Sequence, residues 1–218
     1  MISQTTKLLK KALDKDESTL QTNGSLFQLG VNYRWSSIVV DERKVIEAER
    51  EAEEDAYLEH FKFDDEEDEE KLDSYGVGHD ARLRAGDRAP DSSGLKVCLP
   101  VRLASQACQL FQIFASSHHT ILIFDDLVNV RDVLRECSLY PKDAIRTVVI
   151  TGAKKQPLDA ISADFILDDH DGHAHESYCP TGVCGIVVVR PDGVVGAIAR
   201  GPTWMNRYFR GIFTAKTM

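Results

Sequence analysis

Residues 120–150 read TILIFDDLVNVRDVLRECSLYPKDAIRTVVI, and this stretch decides the fold. Its two ends, Thr120–Phe124 and Ala144–Ile150, are apolar and β-branched runs with the length of a buried strand. Between them, apolar residues recur at helical spacing from Leu127 to Cys137. A strand, a helix and a second strand within about 30 residues predict a βαβ unit with two parallel, buried strands.

The sequence on either side adds a hairpin and two helices. Ile186–Arg190 and Val194–Ala199 are β-branched runs separated by the turn signal Pro191–Gly193, and they predict an antiparallel hairpin. Apolar spacing predicts one helix over Ser105–Ala115 and a closing helix over Trp204–Phe213. A βαβ unit followed by a hairpin and a terminal helix is the element order of a thioredoxin-like fold, an α/β fold built on a central mixed sheet.

The first 82 residues have a different character. Thr6–Leu20 shows the spacing of a short amphipathic helix, and Leu26–Val40 is aromatic and β-branched, as expected of a partly extended segment. Asp41–His60 predicts a solvated helix, and Asp64–Glu70 is a run of carboxylates that repel each other. We therefore divide the chain into an N-terminal helix with an extended segment, an acidic helix with a charged linker, and a thioredoxin-like domain: 1–40, 41–82 and 83–218.

Composition and charge exclude several classes of protein. The 218 residues are 43% hydrophobic and 28% charged, as in chains that fold around a core. The net charge is −9, with 17 acidic and 5 basic residues between Asp41 and Asp73, so the basic stripe of a nucleic-acid binder is missing. No apolar run approaches the roughly 20 residues that span a bilayer. Five cysteines, an odd number, indicate a reducing compartment. We expect a cytoplasmic protein that binds neither nucleic acid nor membrane.

A thioredoxin-like fold raises the question of thiol chemistry. The reactive cysteine of such folds sits where the first strand of the βαβ unit meets its helix, because the helix N-terminus stabilises a thiolate there. This chain has Asp125 and Asp126 at that junction, and we expect them to cap the helix. Cys179 and Cys184 are the only close cysteine pair. They leave a thiol oxidoreductase open as an alternative to two loop or half-buried thiols. The other cysteines are expected in or near the core: Cys98, Cys108 and Cys137.

A histidine-rich segment, Asp168–Glu176, is dense in metal-ligating residue types. Its histidines, His170, His173 and His175, could bind zinc or nickel. Metal sites usually draw their ligands from separate rigid elements with a supporting shell, however. We therefore expect a hydrophilic loop here and no metal. If the chain is instead a small enzyme, its acid–base candidates are Asp125, Asp126, His173, His175 and Tyr178.

Several stretches resemble a known family. Leu83–Asp91 (LRAGDRAPD) resembles the start of the C-terminal thioredoxin-like dimerisation domain of FAD-dependent aromatic hydroxylases, the phenol 2-monooxygenase family. Val188–Gly196 (VVRPDGVVG) is similar to the closing hairpin of that domain. Thr120–Asp125 and Ser177–Tyr178 fall where the family has its first strand and a tyrosine-containing loop. Leu29–Val39 is similar to the segment that joins the catalytic part of these enzymes to this domain.

The resemblance implies a protein that does not hydroxylate by itself. The flavin-binding half of the family carries a Gly-rich Rossmann turn and a Gly-Asp motif, and neither occurs in this sequence. Gly86-Asp87 belongs instead to the domain-start motif. Because hydroxylation needs the flavin, we expect no cofactor bound by this chain alone, and FAD in a full-length or partner protein. Residues 1–40 would be the remnant of the tail of a substrate domain.

The leading hypothesis is a non-catalytic structural or dimerisation module that associates with itself or with a flavin-binding monooxygenase subunit. Its expected architectural residues lie at the domain start and in the hairpin: Asp87, Pro90, Arg190, Asp192 and Gly193. The first alternative is a small enzyme of secondary metabolism, with an aromatic or polyketide ligand in a cleft between the hairpin turn and the helix of the βαβ unit. The second alternative is a thiol oxidoreductase.

Overall fold

The computed structural model describes residues 32–46, 82–152 and 162–213. The predicted amphipathic helix Thr6–Leu20 and the run of carboxylates Asp64–Glu70 lie outside these residues. Of the predicted helix Asp41–His60, residues 42–46 are described, and they are helical. The division of the chain into three segments stays a prediction. None of the described helices is long and apolar enough to cross a membrane.

One eight-stranded mixed sheet forms the centre of the described residues. Its strands are, in chain order, β1 Val40–Asp41, β2 Leu95–Leu99, β3 Ala107–Cys108, β4 His119–Phe124, β5 Ile145–Thr151, β6 Phe165–Asp168, β7 Ile186–Val189 and β8 Val195–Ala199. Across the sheet they are arranged as β1-β8-β7-β4-β5-β6-β2-β3. Strands β4, β5 and β6 run parallel, whereas β7 is antiparallel to both β4 and β8.

Besides the helical residues 42–46, the fold contains the α-helices α1 Val130–Cys137, α2 His173–Tyr178 and α3 Pro202–Arg210. The order β4-α1-β5, then the β7–β8 hairpin, then α3 confirms the predicted βαβ unit, hairpin and terminal helix. The four central strands, β8-β7-β4-β5, are the core of a thioredoxin-like fold, so the predicted fold class is confirmed. Strand β1 extends this core on one side, and β6, β2 and β3 extend it on the other.

Two apolar layers enclose the sheet, because successive residues of a strand point to opposite faces. Leu122 and Phe124 face one layer, which also contains Tyr178 of α2. Ile121 and Ile123 face the other layer, where they pack with residues of α1 and α3. All five side chains are completely buried, and burial of an aliphatic or aromatic side chain contributes roughly 1.5–3 kcal/mol. Helices α1 and α2 therefore lie on opposite faces of the sheet.

The motifs that carry the family resemblance meet in space. Gly86 donates its N–H to the carbonyl of Val195 at 2.7 Å and accepts the N–H of Tyr33 at 2.7 Å. The domain start therefore lies between the N-terminal segment and hairpin strand β8. Asp87 binds Arg34 Nε at 2.5 Å and fastens the same two segments. Gly86 has φ +99°, and a Cβ at this position would collide with the backbone of the N-terminal segment.

The hairpin turn has the contacts expected of its sequence. Arg190 Nη2 lies 2.6 Å from Asp192 Oδ2, and Asp192 Oδ1 accepts the N–H of Val194 at 3.2 Å. Gly193 has φ +78°, a left-handed conformation that glycine adopts without strain. The N–H of Ala89 donates to the carbonyl of Gly193 at 2.9 Å, so the turn also holds the domain start.

The helix predicted over Ser105–Ala115 is wrong. Strand β3 and a 3₁₀ turn, Leu110–Gln112, occupy this stretch. Ser105 has φ +67°, which interrupts any helix, and its N–H donates to the carbonyl of Val97 at 2.8 Å. Contacts with β2 thus satisfy backbone groups that a helix would have satisfied internally. The spacing of apolar residues in Ser105–Ala115 does not reveal this pairing with β2.

Candidate functional site

The carboxyl ends of three parallel strands bring the candidate polar residues together. Asp125 and Asp126 follow β4, Gly152 follows β5, and Asp169 follows β6. Parallel neighbours end on the same edge of a sheet, where open α/β folds bind ligands. His175, the third residue of α2, completes the group. We call Asp125, Asp126, Asp169 and His175 the strand-end cluster.

His175 lies between two carboxylates. Its Nδ1 is 2.6 Å from Asp169 Oδ2, and its Nε2 is 3.1 Å from Asp126 Oδ1. Asp169 Oδ2 also accepts the backbone N–H of His175 at 2.9 Å, which ties α2 to the end of β6. The ring packs edge-on against Phe124, with centroids 4.9 Å apart. Only the imidazolium form donates from both ring nitrogens, so this geometry favours a charged His175.

The electrostatics of the cluster agree with that assignment. The hydrogen bond to Asp169 raises the pKa of His175 above its ordinary 6.5; burial opposes this rise and Asp126 adds to it. Burial alone would raise the pKa of Asp169, but hydrogen bonds from the side chain and backbone of His175 hold it below the ordinary 3.8. The side chain of Asp169 is 1% exposed, that of His175 19% and that of Asp126 30%. His175 thus forms an ion pair with a buried carboxylate, Asp169, at one ring nitrogen and with a partly exposed one, Asp126, at the other. We call these the buried end and the open end of the cluster.

Asp125 and Asp126 were expected to cap the helix, and this expectation is wrong. Asn129 caps α1, and its Oδ1 accepts the N–H of Arg131 at 3.1 Å. A turn separates the two aspartates from the helix start. Asp125 is completely buried, and its Oδ1 accepts the N–H of Gly152 at 3.2 Å. It therefore links the end of β4 to the end of β5.

The other two acid–base candidates make separate contacts. Tyr178 is completely buried and donates its hydroxyl to the carbonyl of Pro90 at 2.5 Å, so it anchors the domain start to α2. Burial raises the pKa of Tyr178 far above its ordinary value. The Nδ1 of His173, an exposed residue, lies 3.3 Å from the carbonyl of Ser93. Both hydrogen bonds therefore lead to the segment 90–93 and not to the ion pair of the strand-end cluster.

The predicted cleft between the hairpin turn and α1 does not contain these candidates. Residue Val189, at the end of β7, pairs with Thr120 at the start of β4, whereas Asp125 follows the end of β4. The hairpin turn and the strand-end cluster therefore lie at opposite ends of β4. This part of the small-enzyme alternative is wrong, because the antiparallel register sends the turn away from the aspartates.

The thiols are buried or lie away from the strand-end cluster. Cys179 and Cys184 lie in the loop between α2 and β7, as expected, but both are buried rather than half-buried. Burial raises the pKa of Cys184 to about 11 and that of Cys179 further. Cys179 Sγ donates to the carbonyl of Cys184 at 2.7 Å. All five cysteines are free thiols; Cys137 is buried and Cys108 is intermediate as expected, but Cys98 is exposed.

The histidine-rich segment was expected to be a hydrophilic loop, and this is wrong for most of its length. Asp168 ends β6, and α2 begins at His173 after Gly172, which has φ +76°. The side-chain carboxylate of Asp169 accepts the backbone N–H of His175 in the first turn of this helix at 2.9 Å. Within the described ranges, no group of three or more histidine, cysteine or acidic side chains is arranged to hold a metal ion.

The residues around the domain-start Gly-Asp pair do not fit a flavin. The carboxylate of Asp87 is occupied by Arg34 and by the N–H of Arg84 at 2.8 Å. The space above Gly86 is filled by the backbone of Tyr33 and Arg34. The carboxylate of Asp87 is therefore already engaged, and no space is left above Gly86 for a ribityl chain or a phosphate.

Asp169 is the functional residue that sequence reasoning missed. It stood in the histidine-rich segment only as one of several potential metal ligands. The available signal was its position directly after an apolar strand, three residues before a glycine and a short amphipathic stretch. That pattern indicates the start of a helix, where the first backbone N–H groups need a hydrogen-bond acceptor from outside the helix.

Comparison with known proteins gives structural matches of low sequence identity. No known family profile matches the chain, and no curated protein sequence does. The thioredoxin domain of a thiol-disulfide oxidoreductase from Bacteroides vulgatus is similar over 60% of this chain and 99% of that domain, with 15% identity and a TM-score of 0.46. The flavin-dependent monooxygenase PieE, solved with FAD and substrate, is similar over 96% of this chain, with 18% identity and a TM-score of 0.47.

A third similar structure, like that of PieE, was solved in complex with FAD. Aklavinone-11 hydroxylase, solved with FAD and aklavinone, is similar over 58% of this chain, with 16% identity and a TM-score of 0.39. The chain spans 30% of PieE and 21% of aklavinone-11 hydroxylase. At these identities and TM-scores the matches assign no activity to this chain.

Proposed function

We propose that this chain is a non-catalytic thioredoxin-like module that assembles with a flavin-binding monooxygenase polypeptide. One observation carries the proposal: the place of the reactive thiol is taken by Asp125, a buried carboxylate that accepts the N–H of Gly152 at 3.2 Å. A buried, acceptor-only group in a closed hydrogen bond neither attacks a disulfide nor accepts electrons.

The remaining candidate groups support the same proposal, because internal contacts engage them. Both ring nitrogens of His175 face carboxylates, and the hydroxyl of Tyr178 donates to a backbone carbonyl. Cys179 and Cys184 are buried thiols with raised pKa values, which leaves little thiolate at neutral pH. These contacts hold loops and helices to the sheet, and they disfavour the thiol oxidoreductase alternative.

An exposed apolar surface beside β1 supports the assembly part of the proposal. Tyr33, Trp35 and Ile38 are 46%, 45% and 52% exposed, and they lie on the segment that the domain start and Asp87 hold in place. Aromatic residues grouped on a surface are enriched where proteins bind each other. The same segment resembles the one that joins the catalytic part of the aromatic hydroxylases to their C-terminal domain. The flavin is then held by the partner and not by this chain.

The test is affinity purification of the tagged full-length chain from its native organism. The expected result is a co-purifying flavoprotein whose flavin absorbance leaves with the partner when the two are separated. The variant Trp35→Glu should lose the flavoprotein, whereas Phe111→Glu, which changes an exposed aromatic just after β3 at the opposite edge of the sheet, should retain it. Flavin retained by this chain after separation, or equal capture by both variants, contradicts the proposal.

A small enzyme is a second candidate because one group of the strand-end cluster reaches solvent. The carboxylate of Asp126 is 30% exposed and pairs with a histidine that Asp169 orients from behind. A solvent-facing carboxylate backed by a charged histidine is a potential proton carrier. A reaction that the chain catalyses alone, and that Asp126→Asn abolishes while the protein stays folded at the assay temperature, would select this candidate over the first.

A further inference from the structure

Helix α2 depends on other parts of the molecule for its stability. It has six residues, and isolated helices shorter than roughly 12–15 residues are marginal in water. Tyr178 donates its hydroxyl to the carbonyl of Pro90, in the segment before β2. His173 Nδ1 lies 3.3 Å from the carbonyl of Ser93 in the same segment. His175 reaches the strand-end cluster instead, so its charge bears on the position of the whole helix.

Two carboxylates of the described residues face the ring of His175. Asp169 Oδ2, after β6, lies 2.6 Å from Nδ1, and Asp126 Oδ1, after β4, lies 3.1 Å from Nε2. Gly152, after β5, lies beside Nε2 and carries no side-chain charge. The carboxylate of Asp125 is directed to the N–H of Gly152. The ring therefore meets negative charge from two sides.

Both contacts can be hydrogen bonds only while the ring is protonated. The imidazolium donates from both nitrogens, whereas the neutral ring has one donor and one acceptor. After loss of the proton, one ring nitrogen faces a carboxylate with no hydrogen between them. The hydrogen bond to Asp169 raises the pKa of His175, so this loss occurs above the ordinary 6.5. Water can take up the proton at the open end, where the side chains of His175 and Asp126 are 19% and 30% exposed.

We propose that the proton of His175 controls a local opening of α2. The protonated ring holds α2 on the sheet through both carboxylates. When the ring is neutral, the helix separates from the sheet more often and exposes Tyr178 and Cys179, which are buried in the closed form. Helix α2 is then a pH-dependent flap that is closed in mildly acidic solution and opens as the pH rises. The proposal stands independently of the proposed module function, because it concerns this chain alone.

The opening should stop at α2, because backbone hydrogen bonds hold the segments beside it. The N–H of Leu110 donates to the carbonyl of Ser92 at 3.2 Å and keeps the segment before β2 in place. The N–H of Ala89 donates to the carbonyl of Gly193 at 2.9 Å and keeps the domain start on the hairpin. Backbone amides and carbonyls do not titrate near neutral pH, so these contacts persist when His175 loses its proton.

The test is amide hydrogen exchange of the full-length chain at pH 6 and pH 9, corrected for the pH dependence of intrinsic exchange. The reporters are the amides of Glu176 and Cys179, which donate to carbonyls of the preceding turn. Their protection should fall about tenfold or more at pH 9, the factor expected from the loss of one hydrogen bond to a charged group. The amides of Ala89 and Arg190, in the domain start and the hairpin, should keep theirs. Unchanged protection in α2, or an equal fall in both regions, overturns the proposal.

Two histidine variants locate the effect. His175→Gln removes the charge, so its α2 amides should already show at pH 6 the low protection that the original protein shows at pH 9. His173→Gln is the matched control in the same helix, because a neutral ring can still donate from Nδ1 to the carbonyl of Ser93. It should keep the fall between the two pH values. A fall that persists in His175→Gln, or that disappears in His173→Gln, overturns the proposal.

Discussion

Two polar regions of this molecule fasten loops to the same sheet with different chemistry. In the first, which we call the domain-start cluster, Arg34 pairs with Asp87 at 2.5 Å and Arg43 pairs with Asp41 at 2.7 Å. Asp41 Oδ2 also accepts the N–H of Ala85 at 3.1 Å, so a carboxylate again holds backbone. In the strand-end cluster, two carboxylates share a single histidine.

This difference indicates which part of the fold responds to pH. Arginine and aspartate keep their charges across neutral pH, whereas histidine is the side chain that titrates there. The ion pairs of the domain-start cluster therefore persist across neutral pH. The ion pairs of the strand-end cluster weaken when His175 loses its proton.

The largest effect is expected at the domain start, from Gly86→Ala. The methyl group would collide with the neighbouring backbone at φ +99°, and we expect a loss of about 3 kcal/mol in the free energy of unfolding. Gly193→Ala is the matched control, since its φ is +78° and nothing lies within 4 Å of an added Cβ. It should lose about 1 kcal/mol. Chemical denaturation measures both, and equal losses would show that the close approach at Gly86 is unimportant.

The next largest effect distinguishes the two carboxylates that flank His175 by how much each contributes to stability. Asp169→Asn removes a buried carboxylate that holds the ring and the backbone of His175, and we expect a loss of about 2 kcal/mol. Asp126→Asn acts at the open end of the same histidine, where solvent screens the pair, and should cost about 0.5 kcal/mol. Thermal unfolding at pH 6 measures the difference. A larger loss in the Asp126 variant would reverse the assignment of buried and open ends.

A smaller effect is expected from pH alone. The pKa of His175 is raised, so its stabilisation is complete below the ordinary 6.5 and is lost as the pH rises through the raised value. The pKa of Asp169 is lowered, so its contribution is present above the ordinary 3.8 and is lost as the pH falls through the lowered value. The stability difference between the protein and His175→Gln should therefore be greatest between these two values and shrink above neutrality. A difference that stays constant from pH 5 to 9 would argue against a charged His175.

The smallest expected effect concerns the reactivity of the cysteines, which belong to neither of the two polar regions. Exposed Cys98 should react readily with an alkylating reagent, whereas buried Cys179 and Cys184 should react only on unfolding. Peptide mass mapping after brief alkylation measures this. Rapid labelling of Cys179 in the native protein would mean that the thiols are accessible and would revive the oxidoreductase alternative.

The sequence predicted the parts of the fold that depend on local periodicity. The βαβ unit and the hairpin were recognisable because Thr120–Phe124 and Ile186–Val189 are buried on both faces and therefore continuously apolar. The stretch Ser105–Ala115 was mispredicted because its backbone pairs with β2, the strand just before it, and the spacing of apolar residues does not reveal that pairing. The same limit applies to Asn129, whose capping role depends on where the turn after β4 ends.

The candidate site was predictable only in its residue types. Asp126 and His175 were candidates from the start, but their pairing across 49 positions depends on the register of β4 against β5 and β6. Asp169 was hidden in a segment whose histidines attracted a metal interpretation. Burial, which separates an orienting carboxylate from a solvated one, is a property of the packed sheet and not of the local sequence.

The most direct test of the central claim is the chemistry of the isolated chain. The full-length protein would be incubated with FAD, reduced nicotinamide cofactor, oxygen and a panel of phenols, with products followed by mass spectrometry and flavin retention by gel filtration. The account predicts no hydroxylated product and no flavin eluting with the protein. A hydroxylated phenol formed by this chain alone, or flavin that remains bound to it, would contradict the account.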